Sequence, residues 1–541
     1  MNKISDFALT VINQKYSQDG ETWPELAIRV VRPVMKTVHA NKALVDQTIE
    51  YVTDRKFLPG GRYLYSVGRA YHQVNNCLLH RADDSREGWA DHLRNSAMGL
   101  MTGAGLGSDY SDIRPEGKLI RKTGGTATGP LALMQIRNEL GRGVMQGGSR
   151  RSALWAGLKW NHPDVMKFIV MKNWIPEVRA MKSKDYNFPA TMDGTNISVM
   201  LDDDFFEAFA DDKHSHNALA AMVYWAVIER MLRTGEPGFS IDTGKNRNET
   251  LRNACTEVCS ADDSDVCNLG SINLAKIKDL NEMKSVLECA TAFLLAGTVY
   301  SDVPYPKVDT IRTKNRRLGI GLMGVHEWLL VHGKRYGVDV DLDTYLEVYA
   351  TSGDYAKTYA KEWDLSVPVK TRAIAPCGTI GIVAETTTGI EPMLYVAVKR
   401  RYLKGQVWNY QYVVDPTARR LMDMGINVDD IEDAYVLSED VERRLAFQAH
   451  VQKYVDHGIS STINLPQWGS ESNNKGTVQK FGKTLIKYLP QLRGMTCYPD
   501  GARSGQPLNP VKYSTAIKHV GEVFEEAGDV CDLRQGVSCG E

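Results

Sequence analysis

From Asp202 to Arg233, apolar residues recur at the three-to-four spacing of one helical face, with Leu219, Met222, Val223, Ala226 and Val227 forming the stripe. Gly235, Pro237 and Gly238 end that helix, and the short run Phe239-Ser240-Ile241 after it predicts a strand. The same spacing predicts helices over Leu280 to Leu295, Asp341 to Trp363 and Ser438 to His457, separated by glycine- or proline-containing turns and short β-branched segments. Helices alternating with short strands over most of a chain argue for an α/β fold with parallel pairing. No internal repeat, low-complexity tract or linker divides the chain. The stretch Asp529 to Glu541 carries few apolar residues and is expected to be a flexible tail.

A length of 541 residues allows several domains or one large α/β barrel. Lys and Arg number 65 against 66 Asp and Glu, so no chain-wide field marks a nucleic-acid or membrane partner, and any phosphate site must be built locally. Apolar stretches such as Ala290 to Tyr300 are shorter than the roughly 20 residues of a membrane span, and the start MNKISDFALTV lacks a signal-peptide pattern. A cytoplasmic location is expected. Nine cysteines, scattered and odd in number, do not form a secreted disulfide framework; their thiols are buried hydrophobes or working groups.

Glycine concentrates in three places. Leu100 to Gly107 precedes Asp112-Ile113-Arg114-Pro115-Glu116-Gly117 and is a weak signal alone. Gly141 to Arg151 joins backbone freedom to cations, which suits closure over a phosphate or base, although a solvated turn has the same composition. Pro376-Cys377-Gly378-Thr379-Ile380-Gly381 reads as a turn presenting backbone N–H groups and hydroxyls to a phosphate. It lacks the lysine of a Walker loop, so phosphoryl transfer is not indicated.

A buried cysteine is by default a small core hydrophobe, and that reading holds for Cys289 beside Ala290 and Phe293. It fails for Cys255, because Glu257 two residues on would project from the same side of an extended segment and set a base beside a thiol. Cys255, Cys259 and Cys267 could also be three metal ligands. Their spacings match neither a zinc ribbon nor an iron–sulfur run, so no metal is expected.

Leu58-Pro59-Gly60-Gly61-Arg62, Asn76-Cys77, Ala104 to Gly117, Gln146 to Ala153, His162-Pro163-Asp164, Asn196 to Val199, Asn253 to Glu257, Cys267 to Leu274, Arg317 to Gly324, Ala375 to Ile382, Gly389 to Pro392 and Gly494 to Arg503 stand in order along the chain. With these motifs the chain resembles the catalytic subunits of the ribonucleotide reductases, most closely the adenosylcobalamin-dependent class II enzymes. The resemblance implies a ten-stranded α/β barrel of two half-barrels around a central cysteine-bearing finger loop. It makes Cys255 the thiyl radical that takes the 3′ hydrogen of a ribonucleotide, Glu257 the acceptor of the 3′-hydroxyl proton and Asn253 a hydrogen-bonding partner of the sugar. Cys77 and Cys267 would reduce the substrate and end as a disulfide, which Cys531 and Cys539 would reopen, themselves recharged by a thioredoxin- or glutaredoxin-like protein. Pro376, Cys377, Gly378, Thr379 and Ile380 would seat the substrate phosphates. Asp84, Ser85, Arg114, Gln146 and Arg150 match the positions where a deoxynucleotide effector, bound at the interface of a homodimer, selects the substrate.

Residues 57–515 are thereby expected to form the catalytic barrel, 1–56 a short helical segment without an ATP cone, and 516–541 a C-terminal segment with the redox tail. Three departures stand out. Thr256 occupies a position that is usually glycine, Cys377 replaces a hydroxyl residue, and seven residues separate the tail cysteines where four are commoner. The relatives that draw a radical from a separate ferritin-like subunit use consecutive tyrosines where this chain has Cys497-Tyr498. That favours adenosylcobalamin, with the partner-subunit arrangement as the alternative. A non-catalytic nucleotide-binding or zinc-stabilised regulatory protein is the remaining reading.

Overall fold

The computed structural model describes residues 4–144, 146, 152–185, 188–404, 407–502 and 508–525. One ten-stranded sheet organises them: β1 (Phe57–Pro59), β2 (Cys77–Arg81), β3 (Gly105–Asp109), β4 (Leu154–Lys159), β5 (Thr195–Asp202), β6 (Gly238–Asp242), β7 (Asp265–Asn273), β8 (Leu318–Met323), β9 (Thr462–Leu465) and β10 (Gly494–Pro499). Most of its pairings are parallel. β2 to β6 form one parallel run; β7 pairs β8 and β9 pairs β10 in the same sense. The runs meet through antiparallel pairings of β2 with β7 and of β6 with β10, and β1 lies antiparallel beside β7. Single parallel bridges join Ile320 of β8 to Arg372, and Ile374 to Ile459 just ahead of β9.

Parallel strands covered on both faces lose the alternation of a half-exposed strand. β8 is buried at every position and β4 at all but its last. Outside them lie two apolar cores. One surrounds the helix Leu280–Tyr300, whose apolar residues face all round, and takes in the helices Asp6–Lys15, Trp23–Lys36 and Lys42–Thr53. The other surrounds the helices Asp203–Ala210 and Asn217–Thr234. A small separate cluster, including Cys77, Leu79, Leu251, Val258, Cys267 and Ala375, joins β2 and β7 to the segments around residues 251–258 and 375.

The long helix expected from Asp202 to Arg233 is two helices. The polar run Asp211 to His216 turns on itself, with Lys213 N donating to Asp211 Oδ1 at 2.9 Å and His216 N to His214 Nδ1 at 3.1 Å. The helix expected over Asp341 to Trp363 also breaks, into Val340–Ala350 and Ser352–Glu362, because Arg372 Nη1 takes the Ala350 carbonyl at 2.9 Å. The helix expected over Ser438 to His457 shortens to Val441–Gln452 behind an Asp440 cap. A separate four-stranded sheet pairs Ala397–Lys404 with Val407–Val414 and adds Leu508–Pro510 and Val523–Glu525 at its edges. The strand Val523–Glu525 ends the described residues, and the tail with Cys531 and Cys539 lies outside them. No described helix is long and apolar enough to cross a membrane.

Candidate active site

Leu251–Arg252 and Cys259–Ser260 pair antiparallel as the stem of a loop directed into the space within the sheet. The stem runs against β3 at a point where only glycine fits: a Cβ on Gly107 would lie 1.9 Å from the Arg252 carbonyl oxygen. Arg252 is fully buried and bonds Asp242 at the end of β6 at 2.7 Å, which pins the incoming limb. The outgoing limb is held by His457 and Gly458. Cys259 N donates to His457 Nδ1 at 3.2 Å, and Gly458 N donates to the Glu257 carbonyl at 2.7 Å. Burial, helped by the surrounding cations of Lys370, Arg317, Arg493 and Arg252, holds the His457 imidazole well below its ordinary value, so it stays neutral and can accept that bond.

The tip is a turn, with Thr256 N donating to the Asn253 carbonyl at 3.1 Å, and is not the extended segment expected for Cys255 and Glu257. Thr256 has φ +68°, a left-handed conformation that a β-branched residue adopts at a cost and that explains why glycine is usual there. The turn still brings the predicted groups together. Cys255 is exposed at the tip, while Asn253 and Glu257 are buried. Asn253 Nδ2 donates to Glu257 Oε1 at 2.9 Å and to Cys77 Sγ at 3.0 Å, and the Cys77 thiol faces the same Glu257 oxygen at 3.9 Å. Glu257 Oε2 is buried with no hydrogen-bond partner among the described residues.

Cys77 and Cys267 stand directly opposite each other where β2 meets β7. Directly opposed antiparallel residues have Cα atoms about 4.5–5.5 Å apart, within the range a disulfide spans. Both are free thiols here. Burial pushes each thiol well above its ordinary value, and the nearby Glu257 carboxylate adds to this. Burial also pushes Glu257 up to about 7, against the lowering effect of bonds from its own backbone, Asn253 and Cys77. The site therefore holds two protonated thiols beside a carboxyl group that changes charge near neutrality.

Cys77, Asn253, Cys255 and Glu257 line a cavity of about 280 Å³, which Cys267 adjoins opposite Cys77 and whose far wall is the turn Pro376, Cys377, Gly378, Thr379 and Ile380. The helix Gly378–Ala384 begins there, so its first backbone N–H groups face the cavity. Cys377 is buried at the cap with its sulfur 3.1 Å from Ser271 Oγ and 3.3 Å from the Ala375 carbonyl. Sequence reasoning gave no role to Ser271, Arg62 or Tyr16, which also line this cavity. Arg62 lies in a matched motif; Tyr16 lies in none.

The expected effector residues divide. Arg114 Nε bonds Asp84 Oδ2 at 2.7 Å, and Ser85 caps the helix Arg86–Thr102. These three follow the C-terminal ends of β2 and β3, away from Cys77 and Gly105 at the starts of those strands. Gln146 instead belongs to the cavity wall, where its Nε2 donates to the Gly103 carbonyl at 2.8 Å. Arg150 lies outside the described residues. Cys255, Cys259 and Cys267 occupy the tip, the stem and β7, and among the described residues no three His, Cys, Asp or Glu side chains are grouped to hold a metal ion. Cys497 faces the outer core near Met495, whereas the next residue, Tyr498, lines a second cavity of about 600 Å³ that touches the first at Gly378.

The family model described as ribonucleotide reductase, barrel domain, matches residues 75–219, 215–355 and 369–488. The chain is 26% identical to a vitamin B12-dependent ribonucleoside-diphosphate reductase of Thermoplasma acidophilum, covering 88% of this chain and 68% of that one. It has the same identity to an enzyme of that name from Mycobacterium tuberculosis, covering 94% and 81%. A ribonucleoside-diphosphate reductase large chain of Schizosaccharomyces pombe is also 26% identical, over only 52% of this chain and 40% of its own length. With a cysteine-tipped loop, two opposed thiols and a buried carboxyl group inside a stretch that the family model spans almost without interruption, the chain belongs to the ribonucleotide reductase barrel-domain family.

Proposed function

We propose that this chain is a class II ribonucleotide reductase, converting ribonucleotides to deoxyribonucleotides by thiyl-radical chemistry with adenosylcobalamin as radical source. The observation that carries the reading is the meeting of Cys77, Asn253, Cys255 and Glu257 at one cavity, with Cys267 directly opposite Cys77 on the neighbouring strand and a backbone-lined turn across from them. The Gly378 to Ile380 N–H groups would hold the phosphates and set the ribose over the loop tip. The Cys255 thiyl takes the 3′ hydrogen atom and Glu257 accepts the 3′-hydroxyl proton, for which it must be ionised. Cys77 and Cys267 give up two hydrogen atoms in all. The 2′-hydroxyl departs as water, the 2′ carbon gains hydrogen, the two sulfurs join and Cys255 returns the 3′ hydrogen. The tail thiols Cys531 and Cys539 then exchange with that disulfide and pass the oxidation to a thioredoxin- or glutaredoxin-like reductant.

The second cavity suits the cofactor. Its wall combines Thr386, Thr387, Thr388, Asn464 and Glu391 with Met393, Tyr395 and Tyr498, and among the described residues no Lys or Arg lines it, which fits a large, amide-rich and partly apolar ligand better than a polyphosphate. When bound, adenosylcobalamin supplies the radical that removes the Cys255 hydrogen. The alternative, a radical relayed from a separate subunit, is disfavoured because Cys497 precedes Tyr498 on β10 where those relatives have consecutive tyrosines, and its sulfur lies in the outer core near Met495.

The bridges at Ile320–Arg372 and Ile374–Ile459 support reading β2 to β10 as a closed ten-stranded barrel whose tenth stave is residues 372–374, with β1 outside it and, among the described residues, paired only to β7. Asp84, Ser85 and Arg114 would bind the deoxynucleotide effector at a homodimer interface, with Gln146 and Arg150 on the segment that carries its influence to the cavity.

Assay of the purified chain with a chemical dithiol, with and without adenosylcobalamin, tests the reading. Cofactor-dependent formation of deoxynucleotide by the lone chain is expected; turnover that requires a second protein would overturn the radical-source assignment.

A further inference from the structure

The helix Asp6–Lys15 lies before the first residue matched by the family model, yet it packs against Gly378–Ala384, the helix that begins at the phosphate turn. The two run antiparallel. Ser5 N donates to Glu385 Oε1 at 3.0 Å at one end, and at the other end Tyr16 shares the cavity wall with Gly378, Thr379 and Ile380. Tyr16 is only 2% exposed.

Its backbone is fixed independently of the ring. Tyr16 N donates to the Ile12 carbonyl at 2.9 Å, and its own carbonyl accepts from Arg29 Nη2 at 3.2 Å. The same nitrogen reaches the Leu64 carbonyl at 3.1 Å, and Arg29 is paired with Glu21 at 2.7 Å. Leu64 belongs to the helix Gly61–Ser66, and Gly60 and Gly61 at its start also line the cavity. The Arg29 contact thus fixes where the Tyr16 backbone stands, and its side chain lines the cavity together with the start of the phosphate-turn helix and Gly60-Gly61.

Resting on the ribonucleotide-reductase reading above, we propose that Tyr16 is the end wall of the phosphate seat and limits the length of polyphosphate that the cavity accepts, so that a nucleoside diphosphate fits and a triphosphate is excluded. The phosphates would be held by backbone groups on one side, and among the described residues that line this cavity Tyr16 is the aromatic one, whose ring a further phosphate would have to displace. A wall of this kind discriminates sterically and leaves the chemistry at Cys255 untouched.

Calorimetric titration of the full chain with cytidine, CDP and CTP, without cobalamin, tests this. The wild type is expected to bind CDP about tenfold more tightly than CTP, Tyr16→Ala to reduce that ratio to near unity, and Tyr16→Trp to weaken CTP further, while Tyr16→Phe behaves as wild type. A wild type that prefers CTP, or a ratio left unmoved by both Tyr16→Ala and Tyr16→Trp, overturns the proposal. Should Tyr16→Ala fail to fold, as judged by circular dichroism, the Tyr16→Trp ratio decides alone. A wild type that binds CDP no better than cytidine would remove the phosphate seat itself, and with it the substrate reading on which Tyr16 depends.

Discussion

Replacing Glu257 with glutamine separates the two consequences of burying this carboxyl group. In the folded chain its pKa is raised from 4.5 to about 7 because burial disfavours the charged form. A group raised in this way contributes stability that is fully present below its unfolded value and is lost as pH rises through the folded one. At about 1.36 kcal/mol per unit, the loss is about 3 kcal/mol once the site is ionised. Glutamine is neutral at every pH and can offer an oxygen to the Asn253 amide now bonded to Glu257 Oε1 at 2.9 Å. Wild type and Glu257→Gln should therefore melt at similar temperatures near pH 5, whereas the variant should melt higher at pH 8.5. For 541 residues the unfolding entropy is about 1.1 kcal/mol/K, which converts the difference to roughly 2–3 °C. Activity moves the other way: wild-type turnover should rise through an inflection near pH 7, and the variant should make no deoxynucleotide at any pH. A melting difference that is the same at both pH values, or a wild-type pH profile without that inflection, would refute the argument.

Gly107→Ala should abolish turnover and lower the melting temperature by several degrees, because its Cβ would lie 1.9 Å from the Arg252 carbonyl and push the cysteine loop off β3; circular dichroism melts and the deoxynucleotide assay read both. Thr256→Gly should relieve the left-handed strain at φ +68° and, after the entropy cost of glycine, stabilise the fold by about 0.5–1 kcal/mol while keeping activity, as measured by thermal melting. Cys255→Ala should be inactive with any reductant, whereas Cys531→Ala and Cys539→Ala should fail with thioredoxin yet turn over with dithiothreitol; equal defects under both reductants would remove the tail from the mechanism.

What could be read from the sequence followed how local each cause was. Helix periodicity found the helix Asn217–Thr234 but misplaced its stripe: of the five residues assigned to it only Val223 and Val227 are buried, Met222 is exposed, and the buried face is Ala220, Val223, Tyr224, Val227, Ile228, Met231 and Leu232. It also ran through Asp211 to His216 because the hydrogen bonds that end the helix there belong to side chains, not to the apolar pattern. The break at Thr351 was illegible for a different reason: the group that takes the Ala350 carbonyl comes from Arg372, beyond the end of the second helix. Cys255 and Glu257 were visible because they are two residues apart, although the turn that joins them depends on a left-handed Thr256, whereas Asn253 was assigned only through the family resemblance. The pairing of Cys77 with Cys267 required a family resemblance, since strand register leaves no mark on residues so far apart in sequence. Tyr16 carried no signal at all. It reaches the cavity only because one helix docks on another.

The mixed strand directions explain why the reducing pair sits where it does. Within a parallel run, neighbouring residues are staggered, and two cysteines placed there would have to shift to form a disulfide. At the junction of β2 and β7 the directions oppose, so Cys77 and Cys267 face each other squarely. The junction also turns the starts of β2 and β3 toward the same mouth as the segment that follows residue 374, which carries the phosphate turn. The loop bearing Cys255 can then lie between thiols and phosphate seat only if one inner strand surrenders its side chains, and β3 does so with Gly105 and Gly107. Cys255, Cys77 and the turn Pro376 to Ile380 thus share one cavity, with Cys267 beside Cys77, because strand directions oppose at the junction of β2 and β7 and β3 carries glycine where the loop crosses it. The same sheet with every strand parallel would place no two residues in the square register that the reduction requires.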